Sequence, residues 1–147
     1  MTIHSLLKEA KLLDFSDLYV GMKDSYQVQI TSSMMDSFAE ISGDLNQLHI
    51  NDDYAKSRGY KRRVVYGMLT ASLYSSFIGM YLPGAISLIH TLKISFNSPV
   101  YINDVLTVSG EIIYKNDSLR ILDINTCIIN SENNIVSKAK IQAGCHA

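Results

Sequence analysis

Apolar residues follow helical spacing in one long stretch near the middle of the chain. Residues 64–80 are apolar on most of their helical surface, and Pro83-Gly84 follows as a helix-ending signal. The stripe that we expect to be buried consists of Met68, Leu69, Leu73, Phe77 and Tyr81. A helix that is apolar nearly all round has to be covered on several sides, so this pattern predicts a central helix enclosed by other elements.

Five other runs have the composition or the alternation of β-strands. The alternation in the later runs predicts that Tyr114 and Ile135 lie on buried faces. Asn116-Asp117-Ser118 and Glu132-Asn133-Asn134 are typical of turns between neighbouring strands. The five runs are residues 25–30, 87–96, 104–115, 119–130 and 135–145. Together with the central helix they predict an α+β fold with an antiparallel sheet.

Three shorter segments complete the predicted secondary structure. Residues 34–41 have helical spacing, with Phe38 and Ile41 on the inner face. Residues 51–59 are a polar helical segment that ends in glycine, and residues 1–15 are an amphipathic lead-in that favours a short helix.

Composition limits the classes of protein that the chain can represent. Its 147 residues suit one domain over residues 1–147, and 47% apolar with 18% charged residues is typical of a globular core. A net charge of −1 gives no general attraction to nucleic acid or membranes. Cys127 and Cys145 lack metal-ligand spacing, and no signal peptide or apolar run of membrane-spanning length is present. We therefore predict a soluble cytoplasmic protein with reduced cysteines.

The candidate chemistry is concentrated in residues 42–49. This segment brings a carboxylate, an amide and an imidazole together at Asp44, Asn46 and His49, directly after a Ser-Gly helix-ending signal. We expect an irregular loop here, where side chains can be directed at a substrate. The same residue types also form Asx turns and helix caps, so the loop alone leaves a structural role open.

A second motif, Tyr66-Gly67-Met68-Leu69, narrows the interpretation. The loop and this helix start together resemble the MaoC-like family of (R)-specific enoyl-CoA hydratases and 3-hydroxyacyl thioester dehydratases. The family pattern is Ser-Gly-Asp-x-Asn-Pro-x-His followed by His-Gly-Met-Leu, and a later Leu-Pro-Gly also matches at Leu82. The resemblance extends from about Tyr19 to the C-terminus and implies the hot-dog fold, in which a sheet wraps around a central helix. Gln47 and Tyr66 depart from the family's proline and histidine, which puts loop geometry and substrate preference in doubt.

The resemblance implies a catalytic role for three residues. Asp44 and His49 correspond to the family's pair that holds a water molecule and moves its protons. Gly67 corresponds to the glycine whose N–H stabilises the thioester oxyanion. The implied reaction is reversible hydration of a trans-2-enoyl thioester, linked to CoA or to an acyl carrier protein, to the (R)-3-hydroxyacyl thioester.

Supporting roles follow for four further residues. Asn46 is expected to fix the loop, and Ser75 corresponds to a serine that the family places beside the catalytic aspartate. Tyr66 adjoins the oxyanion glycine. Arg62, within the basic run Lys61-Arg62-Arg63, is a candidate for binding the phosphates of the acyl carrier. No metal or organic cofactor is implied, and a homodimer or higher homo-oligomer is expected.

Two other functions remain open at this point. A hot-dog thioesterase would hydrolyse the same class of thioester, but residues 64–80 contain no Asp, Glu or His to serve as the base. A non-catalytic acyl-binding or dimerisation module is the other alternative, because the fold does not determine the function.

Overall fold

The computed structural model describes residues 9–146, and its main element is a five-stranded antiparallel sheet. The strand order is β1-β3-β4-β5-β2, so β1 and β2 form the two edges. The strands are β1 (Lys23–Gln29), β2 (Ser87–Phe96), β3 (Val105–Asn116), β4 (Ile121–Ile129) and β5 (Ile135–Cys145). All five strands lie within two residues of the predicted runs.

Four α-helices connect β1 to β2. They are α1 (Ser32–Ser42), α2 (Gln47–Ile50), α3 (Asp52–Ser57) and α4 (Gly67–Met80). The side chain of Thr31 accepts a hydrogen bond from the N–H of Met34 and caps α1, whereas Gly43 ends this helix with a left-handed φ of 70°. Asn51 caps α3 in the same way through the N–H of Tyr54.

Helix α4 packs against one face of the sheet, contacts β2 and β3, and supplies the centre of the core. Leu73, Tyr74, Phe77 and Ile78 are all buried, and burial of such side chains contributes roughly 1.5–3 kcal/mol each. Phe77 lies so close to Gly110 of β3 that a Cβ at position 110 would stand 2.6 Å from its ring. Glycine at this position therefore allows the helix to approach the sheet closely.

The central helix begins later than the sequence predicted. Val64 and Val65 are extended, because their N–H groups donate to the carbonyls of Leu48 and Val100 rather than within a helix. The predicted buried stripe was also wrong at Met68, which is 62% exposed. Ile41, predicted on the inner face of α1, is exposed as well, and Met35 is the buried residue of that helix.

Two predictions about strand faces were wrong for a common reason. The pairing register shifts between Ile112 and Tyr114, and again at the start of β5, where Ile135 pairs with Ile129. Each irregularity adds one residue to the strand and so reverses the alternation beyond it. In β3 this turns Tyr114, which follows the shift, to the other face; in β5 it turns Ile135, which precedes the shift. Tyr114 and Ile135 are consequently exposed.

The N-terminal segment and the cysteines complete the description. Of the predicted lead-in, residues 1–8 lie outside the described part; residues 9–14 form no helix, and a short 3-10 helix spans Phe15–Asp17. Cys145 is buried, Cys127 is half-buried, and both are free thiols whose pKa is raised by burial. Within residues 9–146, no helix has both the length and the apolar character that crossing a membrane requires.

Candidate active site

Two side-chain hydrogen bonds shape the loop that follows α1. The Asp44 carboxylate accepts from the N–H of Asn46 at 3.0 Å, which forms an Asx turn. The Asn46 side chain in turn accepts from the N–H of Leu48 at 3.0 Å and caps α2. The prediction of an irregular loop was therefore wrong for His49, which lies inside this short helix, whereas Asp44 precedes it.

His49 is held by the main chain of the segment before α4. Its Nδ1 lies 2.8 Å from the carbonyl oxygen of Val64. Since a carbonyl only accepts hydrogen bonds, Nδ1 carries the hydrogen, and Nε2 of the neutral ring has the free lone pair. The N–H of Val64 donates to the carbonyl of Leu48 at 3.0 Å, so the two segments are joined in both directions.

Tyr66 connects the loop, the histidine and the start of α4. Its hydroxyl donates to the carbonyl of Asp44 at 2.7 Å, and its ring centroid lies 4.2 Å from that of His49. Phe38 covers the same ring at 4.9 Å between centroids. Burial, followed by the negative charge of Asp44, raises the pKa of the Tyr66 phenol, so the hydroxyl keeps its proton and remains a donor.

The N-terminus of α4 presents free main-chain donors next to this cluster. The first bond that closes this end of the helix runs from the N–H of Thr70 to the carbonyl of Tyr66 at 3.1 Å. The Tyr66 side chain provides no cap, so the N–H groups of the first turn, beginning with Gly67, are available to a ligand. A Cβ at Gly67 would lie 3.4 Å from the Phe96 ring, so this ring borders the glycine closely.

A cavity of about 330 Å³ opens at this helix end. His49 and Gly67 line it, together with polar and apolar residues of the segment that follows β2. Its lining residues are His49, Tyr60, Val64, Val65, Gly67, Thr70, Phe96, Asn97, Ser98, Pro99, Val100 and Val136. The cavity thus places an imidazole beside the free donors of a helix N-terminus.

The structure separates the other candidate residues from this cavity. Asp44 and Asn46 are exposed on the adjoining loop, and Ser75 lies on the exposed side of α4; none of the three lines the cavity. Arg62 donates to the carbonyl of Ile102 at 2.7 Å and lies 5.6 Å from the Tyr101 ring centroid. Its guanidinium is therefore engaged by the loop after β2, although neighbouring Tyr60 borders the cavity.

A larger open groove of about 1000 Å³ crosses the five strands elsewhere. It is lined by lysines, small polar residues and the half-buried Cys127 and holds none of the predicted site residues. Size alone would select this groove, but the cavity at α4 is the one with both a proton-transfer group and free donors.

Sequence reasoning missed three participants in the cavity. Phe96 lies at the end of a strand and reaches Gly67 only because β2 runs beside α4. The Val64 carbonyl cannot be inferred from the sequence, because every residue has a main-chain carbonyl. Thr70 was interpreted only as part of the apolar helix. Only Thr70 offered a signal, as a hydroxyl one turn after the motif glycine.

Comparison with known proteins identifies the family of the chain and several named relatives. The family model of the MaoC like domain matches residues 20–131. The 3-hydroxybutyryl-CoA dehydratase of Methylorubrum extorquens is 35% identical over 107 residues, which cover 73% of this chain and 68% of that protein. The (R)-specific enoyl-CoA hydratase of Aeromonas caviae is 32% identical over 111 residues, covering 76% of this chain and 83% of that one.

The fold gives the same result. The solved (R)-hydratase of A. caviae superposes with a TM-score of 0.83 at 28% identity, covering 88% of this chain and 98% of the other. The chain therefore belongs to the MaoC-like family and has its hot-dog fold, as the loop and helix motifs indicated. It is an enzyme of the hydratase and dehydratase class.

Proposed function

We propose that this enzyme catalyses reversible hydration of a trans-2-enoyl thioester to the (R)-3-hydroxyacyl thioester, with CoA or an acyl carrier protein as the thiol. The observation that carries the proposal is the state of His49. With Nδ1–H bound to the Val64 carbonyl, Nε2 is left as a base on the wall of a cavity that also contains the free end of α4.

His49 and Asp44 form the proton-transfer pair in this proposal, with His49 acting from the cavity wall and Asp44 from the exposed loop beside it. Water held between them loses a proton to Nε2 while its oxygen attacks the β-carbon, and the pair returns a proton to the α-carbon. One H and one OH are thereby added across the double bond, and dehydration reverses these steps. Tyr66 supports the pair, since it binds the Asp44 carbonyl and packs on the His49 ring.

Gly67 supplies the third requirement, which is stabilisation of negative charge on the thioester oxygen. As the β-carbon is attacked, the electrons of the double bond move through the α-carbon onto that oxygen. A free N–H at the first position of α4, reinforced by the helix dipole, is suited to bind it. The absence of a side chain at Gly67 leaves room beside the Phe96 ring, which would favour close approach of the thioester carbonyl.

The experiment that tests the proposal is absorbance of the enoyl-thioester band with crotonyl-CoA and carrier-linked crotonate, alongside an assay of free thiol. Loss of the band without free thiol, and an (R)-3-hydroxyacyl product, are expected. We expect Asp44→Asn and His49→Ala to lower kcat/KM by about 10²–10⁴-fold. Asp53→Asn, an exposed aspartate in α3, is the matched control and should retain activity. Release of thiol in place of hydration would indicate a thioesterase instead.

We further infer that two copies of the chain pair through the β2 edge. Leu92 and Phe96 lie on the helix side of β2 but stay 40% and 50% exposed, and Met68 of α4 is also exposed. Among the described residues, β2 is a ten-residue strand at the edge of the sheet with exposed apolar side chains, a surface that folded proteins normally cover. Sedimentation should give twice the monomer mass, and Leu92→Asp should shift it towards the monomer. A wild-type monomer at micromolar concentration would contradict this inference.

A further inference from the structure

The hydroxyl residues of α4 differ in how their hydrogen-bonding capacity is used. Ser72 donates to the carbonyl of Leu69 at 2.6 Å, which is the usual arrangement for a hydroxyl inside a helix. Ser76 lies beside the phenol of Tyr26 and lowers the pKa of that phenol, against the larger effect of burial. Thr70 is 2% exposed, yet its hydroxyl has no hydrogen-bond partner among residues 9–146.

The direction of the Thr70 hydroxyl follows from this difference. In the described part of the chain, every side-chain oxygen or nitrogen that is shut off from solvent has a hydrogen-bond partner. Since the Thr70 oxygen has none, it must retain some accessible surface. Thr70 lines the cavity that contains His49 and Gly67, so this surface faces the cavity.

Its place on the helix brings this hydroxyl towards the oxyanion donor. Residues three apart lie on the same face of a helix, with their Cβ positions about 5–6 Å apart. Helical side chains also tilt towards the N-terminus, so that Thr70 leans over the turn that begins with Gly67. The same cavity is also lined by the apolar side chains of Val65, Val100 and Val136.

We propose that Thr70 is a second donor to the thioester oxygen, acting beside the N–H of Gly67. This assignment rests on the hydratase function proposed above and identifies a further catalytic residue in the same site. A desolvated donor that meets an oxygen only when substrate is present costs no reorganisation during the reaction. Its hydrogen bond strengthens as negative charge develops on that oxygen, so it accelerates the chemical step.

The test compares variants that lack the hydroxyl with one that keeps it. Thr70→Val preserves the branched shape and Thr70→Ala adds no bulk, and each should lower kcat/KM for crotonyl-CoA by about 10- to 100-fold, mainly through kcat. Thr70→Ser should remain within about threefold of the wild type. Folding of each variant is checked by thermal unfolding, and should one of the two hydroxyl-free variants not fold, the other decides.

A binding measurement separates hydrogen bonding from packing. Butyryl-CoA and S-butyl-CoA differ in the carbonyl oxygen, and neither reacts. The wild-type enzyme should favour the thioester, and Thr70→Val should reduce that preference by about 2- to 10-fold. An equal loss of affinity for both ligands, or a Thr70→Ser variant as slow as Thr70→Val, would overturn the assignment.

The two proposals fail in different ways. If the wild-type enzyme hydrates no enoyl thioester, the proposed function is wrong and the Thr70 assignment is lost with it. If the wild type is active and the hydroxyl-free variants match it, only the Thr70 assignment is wrong.

Discussion

The two halves of α4 use the same apolar composition for different purposes. In the first turn, Gly67 and Thr70 line a cavity, and no side-chain cap from Tyr66 covers the main-chain donors. The second half is closed, because Phe77 packs on Gly110 and the hydroxyl of Tyr74 donates to the buried Ser137 at 3.0 Å. One helix therefore combines an end that is open to a ligand with a body that is closed by packing. At the open end, a bound ligand is expected to provide the missing hydrogen-bond acceptor.

The largest effect is expected in the closed half. Phe77→Ala removes a fully buried ring at the contact with β3, which should lower the free energy of unfolding by about 3–5 kcal/mol. Denaturant unfolding measures this loss. At a temperature where the variant is folded, kcat/KM should stay within about threefold of the wild type. A large loss of activity in fully folded Phe77→Ala would remove the distinction between the two halves.

The opposite result is expected at the first turn. Gly67→Ala places a methyl group at 3.4 Å from the Phe96 ring, on the residue that carries the proposed oxyanion donor, and should lower kcat/KM by about tenfold without reducing stability. Gly79→Ala is the matched control on the same helix, since a Cβ there meets nothing within 4 Å. It should leave activity unchanged and raise the free energy of unfolding by about 0.5–1 kcal/mol. Equal kinetics for the two variants would argue against a role for the Gly67 amide.

The smallest effect concerns alkaline stability. Burial raises the pKa of Tyr74 to about 12, whereas the unfolded chain ionises near 10. Between these values the unfolded state has lost a proton that the folded state keeps, so the free energy of unfolding falls as the pH rises. Tyr26, whose pKa is also raised by burial to about 12, contributes in the same direction. In Tyr74→Phe the fall between pH 10 and 12 should be smaller, as measured by denaturant unfolding at several pH values; an unchanged slope would contradict this account.

The sequence was sufficient to predict the sheet and the body of α4, because strand alternation and helical apolar spacing are local patterns. The start of α4 was not predictable from spacing, since Val64 and Val65 are kept extended by carbonyls of distant segments. The face errors at Tyr114 and Ile135 arose from bulges, which leave no signal in an alternating run.

The candidate site could also be predicted only in part from the sequence. The motif selected His49 and Gly67, and both line the cavity. It did not predict that Tyr66 would be buried between the loop and the helix. From the sequence, Tyr66 only departs from the family's histidine. The structure shows that its hydroxyl donates to the Asp44 carbonyl. Phe96 and Thr70 reach the cavity through tertiary packing, so only the structure shows that they line it.

The orientation of His49 has a consequence for how this protein tolerates mutation. Its Nδ1 is held by the main-chain carbonyl of residue 64, which any of the twenty amino acids supplies. Even proline would keep that oxygen, although it would remove the N–H that donates to Leu48. Substitutions at position 64 are therefore limited by how the side chain packs. The tautomer of His49 does not depend on the side chain at this position, because a main-chain carbonyl sets it.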